Sequence, residues 1–243
     1  MQKLTFLLLL SIILSTGCRE DHDLIFHDTF DYYDVNVPPK GPWEIQGKGM
    51  VRVDTIRSFS GKQSLYFESG EGFENRAFAV ISGNPLIPFA YNRISGSMMI
   101  WIEDIPATDG RWTMLQGVGQ VRDKEYKAEV RYGGELGKRL MANYETQGVA
   151  TDCWQHSHFD MPEKEWVKIS WFIESSTNQM QFWMNEELVE DLTVTLKGTD
   201  CHNDDLDGEW IFPLFEEVMI GWADYQTGGG RRKVWIDDVK FFQ

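Results

Sequence analysis

Hydrophobic and polar residues alternate through most of the stretch WVKISWFIE, which begins at Trp166. Val167, Ile169 and Trp171 fall on one side of an extended chain, whereas Lys168 and its polar neighbours fall on the other. A period of two residues is typical of a β-strand that buries one face. The stretch therefore predicts a strand with one hydrophobic face.

Two short polar segments after this stretch predict a β-meander. Ser175–Asn178 predicts the first turn, and Asn185–Glu186 predicts a second, tighter turn. Leu188–Val194 then leaves as a third strand. Phe172 and Trp183 place aromatic rings on the polar side of the meander, so this face is only partly hydrated. A partly hydrated aromatic face suits a sugar ring.

Similar alternating segments recur along the rest of the chain. They cover residues 24–31, 50–54, 64–68, 76–81, 97–103, 112–120, 126–132, 139–144, 218–222 and 234–242. Turn signals separate them, and Gly133–Gly134 predicts one of these turns. The pattern contains no convincing amphipathic helix. Many short strands at near-regular spacing predict an all-β fold, a β-sandwich or jelly roll of two antiparallel sheets, with one domain over residues 24–243.

The start of the chain does not fit this pattern. Lys3 precedes an apolar run that ends in LSTGC at residues 14–18, and the run is too short for a comfortable transmembrane helix. The arrangement resembles the signals of bacterial lipoproteins, which are cleaved before a cysteine that then carries lipids. We expect residues 1–17 to be removed, Cys18 to be lipidated and residues 18–23 to form a tether. A plain secretory signal with an incidental cysteine is the alternative.

The tether carries the acidic run REDHD at residues 19–23. This run resembles the surface-export signals of bacterial lipoproteins; the alternative is a solvated linker. The expected location is the bacterial outer membrane, facing the periplasm or the cell surface. Contact with the membrane is expected through the lipid anchor only.

Acidic residues outnumber basic residues, 38 to 23, which gives a net charge of −15. Removal of residues 1–17 leaves 243 − 17 = 226 residues, and the loss of Lys3 makes the net charge −16. That length is ample for one domain with a large core, and we expect a monomer. The acidity excludes nucleic acid as a partner, because binding to phosphates needs a basic stripe. It does not exclude an acidic polysaccharide, because a local cluster of arginines can override the global charge.

Three cysteines are present, and lipidation of Cys18 would leave Cys153 and Cys201 as a pair. Disulfides form outside the reducing cytoplasm, so we predict a Cys153–Cys201 disulfide. The alternative is a zinc site that adds His156, His158 and His202 to the two cysteines.

Four segments together resemble a known family. They are DTFD at residues 28–31, SGKQSL at 60–65, WMNEELV at 183–189 and GWADYQTGGGRRKVWIDDVKFF at 221–242. They are similar to segments of concanavalin A-like jelly rolls in the family of the cellulose-induced protein and the glucuronan and alginate lyases. The resemblance covers nearly the whole mature chain and implies a concanavalin A-like β-sandwich. The same fold hosts glucanases, lectins and non-catalytic binding modules.

The resemblance also implies a structural calcium ion that joins the N-terminal strand, the SG loop and the C-terminal strand. The implied ligands are Asp31, Ser60, Gln63 and Asp238, with Asp28 and Asp237 as near substitutes. Calcium prefers six to eight hard oxygen ligands, which this set could supply. The alternative is that Asp31 and Asp238 only hydrogen-bond to turns.

The lyases of this family imply a β-elimination. Such a reaction needs a group that neutralises the uronate carboxylate, a base for the C5 proton and an acid for the leaving oxygen. Strand parity and the resemblance give Arg76, Gln116, Arg131 and Asn143 as carboxylate and hydroxyl contacts, and Tyr144, His158 or Tyr225 as acid or base. The chain departs from the alginate lyases, because Val118 stands where their Gln-x-His pair has histidine. Solvated outer-face residues are the alternative.

Aromatic side chains give further candidates for sugar contact. Trp112, Trp183, Trp222 and Tyr225 are the predicted stacking platforms, because an aromatic face matches the C–H patches of a pyranose ring. Core packing is the alternative for each of them.

The expected function is engagement of a plant or algal polysaccharide, with uronan lyase activity as the leading hypothesis. A non-catalytic carbohydrate-binding protein is the second hypothesis. A glucanase-like hydrolase is the third, because the acidic segment Asp205–Glu209 faintly resembles the acid cluster of laminarinase-type enzymes. The segment contains a glycine and predicts a loop, so it does not place two carboxylates at the separation that retaining hydrolysis requires.

Overall fold

A computed structural model describes residues 23–83, 86–105, 110–149, 151–198, 200–227 and 230–243. The predicted signal peptide, Cys18 and most of the tether lie outside these residues. The strands are β1 (Leu24–Asp28), β2 (Glu44–Gln46), β3 (Met50–Asp54), β4 (Ser64–Ser69), β5 (Ala77–Ile81), β6 (Arg93–Ile102), β7 (Trp112–Gln120), β8 (Lys127–Glu135), β9 (Arg139–Gln147), β10 (Thr151–Asp160), β11 (Trp166–Glu174), β12 (Gln179–Met184), β13 (Glu187–Leu188), β14 (Val194–Thr195), β15 (Asp200–Asp204), β16 (Leu214–Asp224) and β17 (Arg232–Phe242). Short 3-10 turns cover Phe73–Asn75, Ala90–Asn92 and Glu190–Leu192.

The strands form two antiparallel sheets, which confirms the predicted all-β class. Sheet A has the order β13-β12-β11-β6-β17-β4-β3, with β1 added to β17 and β14 added to β12. Sheet B has the order β15-β10-β9-β8-β7-β16-β5-β2. Chain neighbours are often not sheet neighbours, because β17 lies between β4 and β6 and β16 lies between β5 and β7.

The core lies between the sheets and is built from the alternate residues of each strand. In sheet A, Val167, Ile169 and Trp171 are at most 1% exposed, as the alternation predicts. In sheet B, Val130 and Ala142 are fully buried in the same core. The residues between them point to the outer faces, where the two sheets differ most.

The predicted meander is confirmed for its first two strands. Strand β11 pairs with β12 through a turn at 175–178, and Asn185 and Glu186 make a tight turn with positive φ angles of 50° and 71°. The prediction of one continuous third strand is wrong. The segment is divided into β13, the 3-10 turn Glu190–Leu192 and β14, because Leu192 turns inward and is fully buried.

The predicted turn at Gly133–Gly134 is also wrong, since both glycines lie inside β8. A Cβ atom at Gly133 would lie 1.9 Å from the backbone oxygen of Trp112, and one at Gly134 would lie 2.3 Å from the Trp112 ring. Glycine is needed here for the close approach of strand β7, not for a turn.

Three strands carry no clear alternation and are not predicted from the sequence: β2, β10 and β15. Strands β10 and β15 pair with each other and hold the predicted disulfide, Cys153–Cys201, which is confirmed. It closes a loop of 48 residues, so it restricts the unfolded chain and stabilises the fold by about 4 kcal/mol in the chain-entropy model. The half-cystines lie on strands, not in loops, and they fix the edge of sheet B.

Within the described part of the chain, no helix has both the length and the apolar character that crossing a bilayer requires.

Candidate functional site

A row of three polar side chains crosses the outer face of sheet B. Gln116 on β7 pairs with Arg131 on β8, and Arg131 pairs with Asn143 on β9. Their neighbours Leu115, Val130 and Ala142 point into the core, so strand alternation turns all three polar side chains outward. We call Gln116, Arg131 and Asn143 the polar row. The structure thus brings together three of the predicted site residues.

Arg131 lies at the centre of the polar row and is held by a dense set of partners. Its guanidinium donates to Asn143 Oδ1 at 2.8 Å and forms ion pairs with Glu129 and Glu145. Its side chain is only 9% exposed. A buried guanidinium needs such partners, because an unpaired buried charge is costly.

The carboxylates on this face connect the row to its surroundings. Gln116 Nε2 donates to Glu129 Oε2 at 2.8 Å, and Asn143 Nδ2 donates to Asp152 Oδ1 at 2.8 Å. Burial lowers the pKa of Arg131, but the negative charge of Tyr225 in its ionised form, of Glu129 and of Glu145 outweighs this effect and raises the pKa above its ordinary value. Arg131 is therefore a permanent cation.

An aromatic wall stands beside Arg131. Its guanidinium carbon lies 5.5 Å from the centre of the Tyr225 ring, and Tyr225 stacks on Phe73 with ring centres 5.4 Å apart. The Arg76 guanidinium lies over the Phe73 ring at 4.2 Å. Cations favour the faces of aromatic rings, so successive ring contacts link Arg76, Phe73, Tyr225 and Arg131.

The hydroxyl of Tyr225 is available for proton transfer. It lies 3.0 Å from Thr113 Oγ1. Burial raises the pKa of Tyr225, and the Arg131 guanidinium and the hydrogen bond with Thr113 lower it only in part. Tyr225 is therefore protonated at neutral pH and can donate a proton to an oxygen bound at the polar row.

A second charged cluster lies further along the same face. His156 Nδ1 lies 2.9 Å from Glu135 Oε1, and His156 Nε2 lies 3.5 Å from Asp200 Oδ2. Arg139 forms an ion pair with Glu135, and Arg111 stacks over Trp154 at 4.3 Å. Among the histidines on β10, His156 is thus the one that shares the face of the polar row.

Two buried residues lie between the polar row and the Glu135–Arg139 pair. They are Gly133 and Met141, which are directly paired on β8 and β9. The pairing continues onto β10, where Trp154 lies opposite Asn143 and His156 lies opposite Met141. Trp154 and His156 therefore extend this polar surface by one strand.

Three predicted site residues are not on this face, and the predictions for them are wrong. Tyr144 is fully buried, donates its hydroxyl to the Ile211 carbonyl at 3.0 Å and stacks on Trp210 in the core. Trp112 and Trp222 are also fully buried and stack on each other with ring centres 4.5 Å apart. Neither tryptophan can serve as a platform for a sugar.

One β-irregularity explains Trp112. The pairing of β7 with β8 shifts between Thr113 and Leu115, and such a shift reverses the side to which residues point. Trp112 therefore points into the core even though its spacing from Gln116 predicts the outer face. Trp222 needs no irregularity, because Val218, Ile220 and Trp222 alternate into the core in the regular way.

Other predicted residues lie elsewhere. His158 forms an ion pair with Asp191 at the edge of the domain, with 75% of its side chain exposed. Trp183 lies half-buried on the outer face of sheet A, opposite Ser170, and so lies on a different sheet from the polar row. Arg76 lies at the rim and reaches the site through Phe73.

The predicted calcium ligands are engaged in other contacts. Asp31 Oδ1 accepts from the backbone N–H groups of Lys62 and Gln63, whose side-chain nitrogen donates to the Phe30 carbonyl. Asp238 is paired with His27 at 2.6 Å and with Lys240 at 2.7 Å.

These contacts engage part of the implied ligand set. Backbone N–H groups occupy Asp31 Oδ1, and His27 and Lys240 occupy the two oxygens of Asp238. Among the described residues, no group of three or more His, Cys, Asp or Glu could hold a metal ion. Calcium binding stays a prediction.

The remaining alternatives find no support in the geometry. The zinc alternative at Cys153 and Cys201 is wrong, because the two cysteines form the disulfide. Asp205–Glu209 lies in a turn that leads to Trp210 and pairs with the β14 region, away from the polar row.

The site also contains residues that the sequence does not single out. Glu129, Glu145 and Glu135 surround the arginines, and Phe73 completes the aromatic wall. Strand parity could have placed Glu129 beside Arg131, because the two are separated by one residue. Nothing in the sequence links Phe73 to Tyr225, since a 3-10 turn and the end of β16 bring them together.

Two solved structures share this architecture. The cellulose-induced protein Cip1 matches with a TM-score of 0.60 and 19% identity, over 88% of this chain and 95% of that one. The endo-β-1,4-glucuronan lyase from the fungus Trichoderma reesei matches with a TM-score of 0.60 and 11% identity, over 91% of this chain and 96% of that one. At these identities the likeness shows the jelly-roll fold alone.

No curated protein matches the sequence. The family model of the Cip1-like core domain, described as polysaccharide lyase-like, matches residues 33–242. This match covers most of the chain and the whole of the polar row. The chain therefore belongs to the Cip1-like, polysaccharide lyase-like family.

Proposed function

We propose that the protein cleaves a uronic-acid polysaccharide by β-elimination on the outer face of sheet B. The observation that carries the proposal is the polar row with the Tyr225 hydroxyl beside it. Family membership points to polysaccharide, and the structural likeness to a glucuronan lyase makes a uronan the first substrate to test.

In this proposal the polar row neutralises the carboxylate of the uronate. Arg131 supplies the charge, while Gln116 and Asn143 supply amide hydrogen bonds on either side. Neutralisation makes the C5 proton of the sugar more acidic and stabilises the enolate-like intermediate that forms when this proton leaves. The electron pair then moves to form the C4–C5 double bond and the C4–O bond breaks.

Two groups divide the proton transfers. His156 takes the C5 proton, because its imidazole lies on the face of the polar row and a histidine ring is the usual general base. Tyr225 donates its proton to the departing oxygen, because its raised pKa keeps it protonated. The products are a new reducing end and an unsaturated sugar.

A second candidate function is carbohydrate binding without cleavage. The observation that favours it is the pairing of Arg131 with both Glu129 and Glu145, which leaves the guanidinium already neutralised. A site in this state binds the hydroxyl groups of a neutral glycan with its carboxylates more readily than it binds a uronate.

One assay separates the two functions. Purified protein of residues 19–243 is incubated with glucuronan, alginate, pectin and neutral glucans, and ultraviolet absorbance of unsaturated sugars is recorded in parallel with reducing ends. We expect both signals to rise on one uronan and to be lost in Tyr225→Phe. Flat signals on every uronan, together with retardation of the protein in a glycan-containing gel, would establish the binding function instead.

We propose further that the protein is an outer-membrane lipoprotein anchored through Cys18. The LSTGC segment at residues 14–18 supports this location. The Cys153–Cys201 disulfide supports it too, because disulfides persist in oxidising compartments. Fractionation of cells that express the full chain tests it. Wild-type protein is expected in the membrane fraction, and Cys18→Ala is expected to leave it.

A further inference from the structure

Two carboxylates contact the same nitrogen atom of Arg131. Glu129 and Glu145 both contact Arg131 Nη2, the second of them at 2.6 Å. They are directly paired on neighbouring strands, so their side chains leave the sheet side by side. One guanidinium thus carries two negative partners, and the two partners are held very differently.

Glu129 is a fixed partner. Its carboxylate accepts from Gln116 Nε2 at 2.8 Å and from Gln147 Nε2 at 2.5 Å in addition to the ion pair with Arg131. Its side chain is 12% exposed. If the Glu129 carboxylate moved away, the groups that donate hydrogen bonds to it would lose their acceptor.

Glu145 is a loose partner. Its side chain is 42% exposed, and within the described part of the chain the ion pair with Arg131 is the one polar contact that the structure gives it. It also stands between two like charges, because it is paired with Glu129 on one side and with Asp152 on the other. Like charges directly opposite each other on a sheet are destabilising. An exposed ion pair of this kind is therefore held weakly.

We infer that Glu145 occupies the position that the carboxylate of the substrate takes on Arg131. Arg131 is 9% exposed and Glu145 contacts its Nη2 at 2.6 Å, so a bound uronate reaches this nitrogen when the Glu145 side chain rotates into solvent. The exchange replaces one carboxylate by another and leaves the charge around Arg131 unchanged. The inference rests on the proposed function and names Glu145 as a residue that sets the affinity for the uronate.

The exchange has a selective consequence. A sugar with a carboxylate can replace Glu145 on Arg131, whereas a neutral sugar offers only hydroxyl groups and leaves the ion pair in place. Competition from Glu145 therefore weakens the binding of every uronan by the same factor. Between turnovers, Glu145 remains paired with Arg131, so the buried guanidinium does not lose this partner.

The test is the substitution Glu145→Gln with Glu216→Gln as its matched control. Glu216 is a similarly exposed carboxylate, at 48%, in an ion pair of similar length, 2.7 Å, but its partner is Lys127. Both substitutions remove one negative charge from the same sheet. Binding of a glucuronan oligosaccharide and of a neutral cello-oligosaccharide is measured by calorimetry on the wild type and both variants, with melting temperatures recorded for each.

The exchange predicts that Glu145→Gln binds the glucuronan oligosaccharide about two- to fivefold more tightly than the wild type, the range expected for release from one exposed ion pair. Glu216→Gln and the neutral oligosaccharide are expected to show no comparable gain. An equal gain in both variants would mean a long-range charge effect and would overturn the inference, as would an unchanged or weaker affinity of Glu145→Gln. Absence of uronan binding by every protein, with the neutral oligosaccharide bound, would overturn the proposed function itself.

Discussion

Each sheet carries a row of large side chains that crosses neighbouring strands on its outer face. The two rows differ in the chemistry of their side chains. On sheet B the row is polar and consists of Gln116, Arg131 and Asn143. On sheet A the directly paired residues Trp166, Trp101, Trp235 and Tyr66 form an aromatic row across β11, β6, β17 and β4.

The aromatic row is closed by its own chain. Arg57 stacks over Trp101 at 4.3 Å and over Trp235 at 4.8 Å, and its guanidinium pairs with Glu103 at 2.8 Å. Phe59 packs edge-on against Trp166. The loop that carries Arg57 and Phe59 therefore covers the row, and the aromatic rings hold that loop on the sheet.

The difference shows that aromatic residues on the outer face of a sheet do not by themselves form a sugar-binding surface. The aromatic row has the residue types that usually stack on sugars, but an arginine of the same chain already occupies the ring faces. The charge of the polar row is paired with Glu129 and with the more exposed Glu145, which we propose the substrate displaces. We therefore propose that polysaccharide binds on sheet B and that the aromatic row is structural.

The largest expected effect follows from Arg131→Met. Loss of the guanidinium leaves Glu129 buried without its cation, so we expect the free energy of unfolding to fall by about 3–5 kcal/mol and lyase activity to vanish. Urea denaturation and the absorbance assay measure the two effects. Arg57→Met is the control on the other sheet, and it is expected to retain activity. Loss of activity in Arg57→Met with an intact fold would contradict the assignment.

Tyr225→Phe is expected to have the next largest effect and to act on the reaction alone. Removal of the proton donor should lower kcat about 10²- to 10⁴-fold, the usual range for general acid–base groups. Stability should change by about 1 kcal/mol or less, because the lost hydrogen bond is the one with Thr113. A variant with wild-type kcat would remove Tyr225 from the mechanism.

Trp101→Ala tests the structural function of the aromatic row. Trp101 is half-buried between Trp166 and Arg57, so we expect a loss of about 2–3 kcal/mol in the free energy of unfolding. Affinity for the glucuronan oligosaccharide should stay the same. A fall in affinity without a fall in stability would show that the aromatic row binds sugar.

The smallest expected effect is a pH dependence from Asp224, which precedes Tyr225. Burial raises the pKa of Asp224 to about 6 despite the nearby Arg232. The folded state therefore binds this proton more tightly than the unfolded state does, and the resulting stabilisation is complete below about pH 4 and is lost as the pH rises through about 6.

Asp224→Asn should remove this dependence. Between pH 4 and 6 the unfolding free energy of the variant is expected to be flatter than that of the wild type by about 1–2 kcal/mol, measured by urea denaturation at several pH values. Parallel curves for the two proteins would show that Asp224 does not titrate in this range.

Strand alternation was sufficient to predict much of the site. The spacing of Arg131 and of Asn143 on their strands turns both outward, and the same alternation contradicts a surface function for Tyr144, whose neighbour Asn143 is outward. The resemblance drew attention to Tyr144, whereas the physical pattern placed it in the core. Where the two disagreed, the alternation was correct.

Other features could not be predicted because they depend on contacts between distant segments. The irregularity near Thr113 reverses Trp112, and nothing in the local sequence marks it. Strand β10 has no alternation of its own, so His156 was not placed on the polar face. Its position is fixed by pairing with β9 and by the disulfide.

The most direct test of the account is a two-dimensional ¹H–¹⁵N NMR titration of the wild-type protein with a glucuronan oligosaccharide. The side-chain amides of Gln116 and Asn143 report on sheet B, and the indole N–H groups of Trp101 and Trp235 report on sheet A. We predict shifts of the Gln116 and Asn143 amides and of backbone amides in β7 to β9, with the two indole signals unchanged. Shifts confined to Trp101 and Trp235 would contradict the assignment of polysaccharide to the polar row.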